Sequence, residues 1–373
     1  VTEPPGLYLH VPFCRRKCLY CDFFSSTDLD ALGAWGEALL QELALATEAA
    51  AWGPFDTLYL GGGTPSLVPE AWLERIFSAV QARHLLAANA EITLEANPDD
   101  VTPARLSFWR ELGINRLSLG VQSCSEAALR FLGRRHDARQ ALQALAWTRE
   151  AGFDHLSVDL IYGLPQQPRS SWVDSLRRVL AFRPEHLSCY QLTLAPHTPL
   201  GRRAQRGELA LPGEEEQRRW FLFTSAFLTD QGYRHYEISN YARDGRHLSR
   251  HNCKYWRHVP YLGLGPAAHS FDGRSRRWNV RSVKAYCRRL QAGRLPTAGG
   301  EVLSAAQMQL ETLALGLRTC WGVTLQDLDC FPQASQVLPE LCRAGLLQLQ
   351  DGRVCPTPTG LVVADSLADM LSD

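Results

Sequence analysis

At 373 residues the chain is longer than one typical domain, and its 45% hydrophobic and 21% charged residues are those of an ordinary globular protein. Lys+Arg and Asp+Glu both total 39, so the net charge is zero, with no long like-charge run, and neither nucleic acid nor an anionic membrane surface is an expected partner. No stretch approaches the roughly 18 uninterrupted apolar residues of a membrane span. The opening VTEPPG lacks the basic and apolar regions of a signal peptide, and eleven cysteines, odd in number and mostly scattered, suit a reducing cytoplasm better than a disulfide framework.

The first predicted element is an alternating apolar run, Leu7–Val11, which leads into LYLHVPFCRRKCLYCDFF (7–24). Cys14, Cys18 and Cys21 stand there at C-x3-C-x2-C spacing, close enough on one loop to converge on a single metal centre. Three thiolates leave one iron of a cubane cluster without a protein ligand. A zinc knuckle or three unrelated thiols are the alternatives. Zinc usually takes a fourth Cys or His, and the nearby candidate, His10, sits inside the strand-like run.

From Leu7 to about Leu194 short apolar runs alternate with longer amphipathic ones, the pattern of βα units around a parallel sheet. The strands are expected at Leu7–Val11, Thr57–Leu60, Ala90–Ala96, Arg116–Leu119, His155–Ile161 and His186–Leu192. Helices are expected at Leu32–Ala50, Glu70–Arg83, Pro103–Leu112, Ala138–Ala151 and Trp172–Ala181. Six units without a G-x-G-x-x-G run predict an α/β fold, a partial (β/α) barrel of six strands open at one side. Its chemistry belongs on loops at the C-terminal strand ends.

Residues capable of chemistry fall at those ends. The cysteine loop follows the first strand. Gly61-Gly62-Gly63-Thr64-Pro65 follows the second, bringing bare backbone close to a ligand and able to aim N–H groups at a carboxylate. Glu95 ends the third strand, Gln122 follows the fourth, and Arg134 opens the loop beyond a short helix. Asp159 lies between Val158 and Leu160, where a carboxylate is costly to bury without a partner.

YLHVPFC, C-x3-C-x2-C followed by an aromatic residue, GGGTP, ExNP, GVQS, LGRRH and DLIYGLP, in this order, resemble the coproporphyrinogen-oxidase-like branch of the radical-SAM superfamily, over nearly the whole chain. The resemblance implies a 4Fe–4S cluster on Cys14, Cys18 and Cys21, its open iron chelated by S-adenosyl-L-methionine. It also implies contacts to that molecule from Tyr8, Tyr20, Gly62, Gly63, Thr64, Glu95, Gln122, Arg134 and Asp159.

Past Leu194 the repeat stops. Pro196, Pro199 and Gly201 break the chain, Arg202–Glu208 reads as a solvated connection, and Glu214–Asp230 as a helix. A stretch dense in aromatic residues follows, with His235, His247, His251, His258 and His269. Imidazole can ligate haem iron and flat rings suit a macrocycle; the alternative is a domain-edge core whose histidines hydrogen-bond. His251-Asn252-Cys253-Lys254-Tyr255-Trp256 matches the H-N-x-x-Y-W motif of the HemW-type haem chaperones within this branch, which makes His251 the candidate axial ligand. From about Ser304, helices Ala305–Leu317 and Pro339–Ala344 precede a hairpin, Leu346–Leu349 with Arg353–Cys355, around Asp351-Gly352, and Thr357-Pro358 starts a last helix. The expected division is a barrel at 1–212, a connecting segment at 213–300 and a small α+β, winged-helix-like C-terminal domain at 301–373.

Two functions compete within that resemblance. One is an enzyme, oxygen-independent coproporphyrinogen III oxidase. The other is a chaperone that binds haem and delivers it to acceptor haemoproteins, membrane-bound respiratory enzymes among the candidates. The oxidase has a further cysteine where this chain has Phe23, and a long extension ahead of its first strand where only Val1 to Gly6 stand here. The chaperone is the expectation. A radical-SAM methyltransferase or cyclopropanase stays open, as does a homodimer formed through the cluster, and no catalytic residue is assigned.

Overall fold

A computed structural model describes residues 3–46, 52–83 and 85–372. Its first half is a run of βα units: β1 (Gly6–Val11), α1 (Leu32–Leu45), β2 (Phe55–Gly62), α2 (Glu70–Ala82), β3 (Leu86–Ala96), α3 (Pro103–Glu111), β4 (Arg116–Gln122), α4 (Glu126–Leu132), α5 (Ala138–Glu150), β5 (His155–Tyr162), α6 (Arg169–Leu180) and β6 (His186–Gln191). The six strands lie in chain order and pair in parallel. All six expected strands form, most of them slightly longer than expected. The helix expected to run to Ala50 ends at Leu45, and 47–51 lie outside the described residues.

Strand alternation divides these residues between two environments. One face presents Leu7, Leu9, Val11, Leu58, Leu60, Leu94, Leu117, Leu119, Leu156, Val158, Leu160 and Leu187 to the helices, in a core with Trp35, Leu73, Leu106, Ala141 and Trp172. The residues between them, on the opposite face, are polar or aromatic: Tyr8 and His10, Thr57 and Tyr59, Thr93 and Glu95, Arg116 and Ser118, Ser157 and Asp159, His186 and Ser188. The barrel interior is therefore a polar surface. Asp159 has the partner its position demands, since Ser118 Oγ donates to its carboxylate at 3.2 Å.

The stretch expected as a connecting segment does more than connect. Pro199 begins a helix, α7 (Pro199–Gln205), instead of breaking one; Thr198 caps it and Pro199 fills its first turn, where a missing N–H leaves no bond unmade. After α8 (Glu214–Asp230), β7 (Arg234–His235) and β8 (Asn240–Ala242) extend the sheet antiparallel beyond β6. α9 (Arg250–Trp256) is followed by β9 (Tyr261–Leu264), which pairs in parallel with β1 from the other side. β10 (His269–Phe271), β11 (Ser275–Asn279), α10 (Val283–Gln291) and β12 (Thr297–Val302) complete a sheet of twelve strands.

The C-terminal part holds α11 (Ala305–Gly316), β13 (Val323–Thr324), α12 (Leu325–Leu328), α13 (Ala334–Arg343), the hairpin β14 (Leu347–Gln350) and β15 (Arg353–Pro356), α14 (Pro358–Val362) and α15 (Ala364–Ser372). It closes its own apolar core on Leu313, Leu341, Val354 and Leu367. Pro339 lies inside α13 instead of starting it.

Candidate functional site

The cysteine loop crosses the C-terminal ends of β1 and β2. Cys14 N–H donates to Ser26 O at 2.9 Å, and Gly63 N–H reaches back to Val11 O at 2.8 Å. The three sulfurs are partly buried and free, and each has a donor or a charged neighbour. Thr64 Oγ1 donates to Cys14 Sγ at 3.4 Å, and Arg134 Nη1 donates to Cys18 Sγ at 3.3 Å. Burial pushes the Cys14 thiol up and the Cys21 thiol up to about 11, and in both the neighbouring cysteines add to the shift. Among the described residues no three His, Cys, Asp or Glu side chains converge as ligands of a single ion. Three thiols on one loop, two of them accepting from side-chain donors, fit an iron–sulfur cluster, whose potential is tuned by such hydrogen bonds.

The GGGTP run needs its glycines for close approach. A Cβ on Gly63 would stand 2.6 Å from Phe13 O, and one on Gly62, at φ +112°, would stand 2.5 Å from the His10 ring. Gly62 N–H donates to Glu95 Oε2 at 3.2 Å and Tyr59 OH to Glu95 Oε1 at 2.8 Å. Burial, with Asp159 adding repulsion, pushes the Glu95 carboxyl up to about 7; burial likewise lifts Asp159 to about 6. Both face the barrel interior, as does Tyr190, which is ringed by protein yet 42% exposed. This interior is open to a solute.

Gln122 stands out by strain. It has φ +66°, rare for a non-glycine residue, and its buried Oε1 has no partner. Arg134 donates to Gly120 O at 2.8 Å and to Asn97 Oδ1, while its Nε is buried and unpaired. Asn97 Nδ2 in turn donates to Thr64 Oγ1 at 3.3 Å, so Asn97 bridges Arg134 and the GGGTP loop. Tyr20, whose hydroxyl burial holds well above its usual range, lies beside Arg134, Cys18 and Cys21.

Cys14, Thr64, Asn97, Arg134 and Cys18 thus form one hydrogen-bonded group at the mouth, with Cys21 and Tyr20 beside it and Gly62, Glu95 and Asp159 in the adjoining interior. Tyr8 lies deeper on the wall; its hydroxyl bonds His10 Nδ1 at 3.0 Å, and His10 Nε2 meets Phe24 O at 2.9 Å. A carbonyl only accepts, so Nε2 carries the proton and Tyr8 donates to Nδ1. Composition reasoning missed Tyr59, Asn97 and Tyr190; the period-2 alternation in TLYLGG and SCYQL, and the Asn of ExNP, carried the signal.

His251 is not at the mouth. Its segment floors the opposite, N-terminal end of the barrel, and the ring offered above to haem iron is 1% exposed with both nitrogens engaged. Nδ1 bonds Thr57 Oγ1 at 2.8 Å, Nε2 bonds Tyr255 OH at 2.9 Å, and the ring stacks on Tyr59 at 5.1 Å. Burial lowers its pKa to about 3. In this arrangement neither nitrogen can meet iron, and the hydrogen-bonding core histidine is the reading the geometry fits. Around it a buried Arg116–Glu91 pair at 3.5 Å, the donation of His251 N–H to Glu91 at 3.2 Å, and Lys254 on Asp56 at 2.6 Å tie the segment to β2, β3 and β4.

Two family profiles match the chain. The profile described as the Radical SAM superfamily matches residues 8–179, and that of the HemN C-terminal domain matches 303–363. The chain is 40% identical over 342 residues to the heme chaperone HemW of Synechocystis sp., covering 89% of this chain and 82% of that protein. To the heme chaperone HemW of Mycobacterium tuberculosis it is 36% identical over 375 residues, covering 99% and 95%. To the mitochondrial radical S-adenosyl methionine domain-containing protein 1 of Bos taurus it is 36% identical over 386 residues, covering 98% and 87%. Among solved structures, coproporphyrinogen III oxidase (HemN) from Escherichia coli superposes with a TM-score of 0.82 over 99% of this chain and 90% of that one, at 24% identity, a likeness of fold. With relatives this similar along nearly its full length, the chain belongs to the radical SAM superfamily and, within it, to the HemW family.

Proposed function

We infer that this protein is a haem chaperone: it binds haem and passes it to acceptor haemoproteins, on a scaffold that carries a 4Fe–4S cluster and S-adenosylmethionine. The observation that carries this reading is identity of 36–40% to proteins named heme chaperone over most or nearly all of the chain. In it, Cys14, Cys18 and Cys21 hold the cluster. Tyr8, Tyr20, Gly62, Gly63, Thr64, Glu95, Gln122, Arg134 and Asp159 hold S-adenosylmethionine, with the unpaired Oε1 of Gln122 and Nε of Arg134 as groups that a polar ligand would satisfy. His251 is assigned to the floor of the barrel, not to haem. When bound, the cluster supplies a one-electron centre with an open iron. The chain's own part is to hold three thiols at the mouth, shield them from water with the loop, and fix Glu95 and Asp159 against the interior.

A cytoplasmic location, respiratory enzymes among the acceptors, a homodimer formed through the cluster and the division at 212 and 300 belong to the same reading. Eleven free cysteines favour a reducing compartment, and the separate core of the C-terminal part favours the second boundary. Among the described residues no helix is long and apolar enough to cross a membrane. The test is anaerobic: reconstituted protein is mixed with haem and, separately, with coproporphyrinogen. A Soret band shift without decarboxylated product is expected; multiple-turnover formation of protoporphyrinogen would reverse the assignment in favour of the oxidase.

A further inference from the structure

Between the cysteine loop and the turn after α4 runs a groove of about 610 Å³, lined by five cations, Arg16, Lys17, Arg130, Arg134 and Arg135, with Leu19. Its two walls are bonded together. Leu19 N–H donates to Leu132 O at 3.2 Å, and Arg16 donates to Gly133 O at 2.8 Å and Arg134 O at 2.9 Å. Gly133, at φ +73°, admits Leu19, whose Cγ would stand 2.8 Å from a Cβ there.

No carboxylate lines this groove. Asp99 engages Arg135 at 2.8 Å, and Asp22, on the same loop, is turned to His197 at 2.6 Å. Arg134 is spent on Cys18, Asn97 and Gly120. Arg16 and Lys17 donate only to backbone carbonyls, and the Arg130 guanidinium has no partner among the described residues. Three exposed cations without an acid, in a chain of zero net charge, make this an anion-seeking surface. Beside it the loop exposes a flat apolar ring. Phe23 is 69% exposed, and its carbonyl accepts from Lys17 Nζ at 3.2 Å. Apolar plane and uncompensated positive charge in one stretch match a flat, apolar dicarboxylate. Haem has that chemistry, and the His251 pocket, closed and fully hydrogen-bonded, does not receive it.

We propose that haem docks on this outer face of the cysteine loop, its propionates in the groove with Arg16, Lys17 and Arg130, and Phe23 against the macrocycle. The proposal rests on the haem-chaperone reading. Its test crosses protein charge with ligand charge. Full-length, anaerobically reconstituted protein is titrated with haem and with haem dimethyl ester, followed by the Soret band, as wild type and as Lys17→Glu, Arg130→Glu and Arg130→Gln. Each reversal weakens haem binding by about fivefold to tenfold, more at low salt, and Arg130→Gln by less. The ester binds wild type as weakly as haem binds the reversed variants, and no variant changes its affinity further. Arg130 lies on α4, outside the cysteine loop, and unchanged iron–sulfur absorbance shows the loop intact. Haem affinity unchanged in both reversals, or ester bound as tightly as haem, overturns the site while leaving the chaperone reading standing. Absence of haem binding by wild type overturns both.

Discussion

Replacing His251 with alanine separates a structural histidine from an iron ligand, because the two roles predict opposite readouts. The ring is 1% exposed and makes two side-chain hydrogen bonds, to Thr57 at 2.8 Å and Tyr255 at 2.9 Å, and Thr57 is itself fully buried. Losing each bond and stranding its partner costs about 1–2 kcal/mol. The lost stack on Tyr59 adds about 0.5–1 kcal/mol, and the cavity raises the total to about 4 kcal/mol. With an unfolding entropy of about 2.1 cal/mol/K per residue, a 373-residue chain changes by about 0.8 kcal/mol for each kelvin, so Tm falls by about 5 °C. The assay is a thermal melt alongside haem and S-adenosylmethionine titrations. The lower Tm is expected with the Soret response retained, and with S-adenosylmethionine binding weakened if anything moves, since Tyr59 holds Glu95. A Tm within a degree of wild type together with a lost Soret band would refute the reasoning and return His251 to the iron.

Cys14→Ala, Cys18→Ala and Cys21→Ala are each expected to abolish the cluster, by iron and sulfide analysis, while alanine at any other cysteine leaves it. Glu95→Gln and Gln122→Ala should each weaken S-adenosylmethionine binding by about tenfold in equilibrium titration, the loss of roughly one charge-assisted or rescued hydrogen bond. His136 is buried, bonds Val121 O at 3.0 Å through Nε2, and has its pKa lowered to about 4 by burial, so the folded state holds it neutral. Its contribution is present above the unfolded value of about 6.5 and is lost as pH falls through 4. The stability advantage of wild type over His136→Gln in denaturant melts should therefore shrink by up to about 3 kcal/mol between pH 6.5 and 4, and a constant gap would contradict it.

Much of the fold was legible because local signals and burial agree in βα units. Each strand expected up to Leu192 forms, and the Asp351-Gly352 turn has the two positive φ values, +50° and +74°, that a two-residue hairpin demands. The strands from β7 to β13 were not legible. β9 owes its place to β1, some 250 residues away in sequence, and β11, SRRWN, has too many charges to read as a buried strand. The cysteines and the glycine run could be found by spacing, because their chemistry is local to one loop. The role of His251 could not, because Thr57 and Tyr59, which engage its ring, stand on β2, with Thr57 194 residues away.

That distance also explains why motifs that read as separate act together. His10 looked like a spare metal ligand, yet its ring and backbone are where two glycine motifs meet. A Cβ on Gly62 would strike the His10 ring at 2.5 Å, and one on Gly265, at φ +103°, would strike His10 O at 2.5 Å. Gly265 is held in turn by Glu42 of α1, which accepts from its N–H at 2.7 Å and from Tyr286 OH and Asn279 Nδ2 at 2.6 Å. Glu42 is nearly fully buried, and burial pushes its carboxyl up to about 7. The contacts therefore run from α1 through the segment 262–270, LGLGPAAHS, to His10, and from His10 to Tyr8 on the barrel wall and Phe24 behind the last cysteine. Any side chain larger than glycine at 62 or 265 would displace His10, and with it the end of the cysteine loop. The glycines of both motifs are needed because one imidazole has to lie between them.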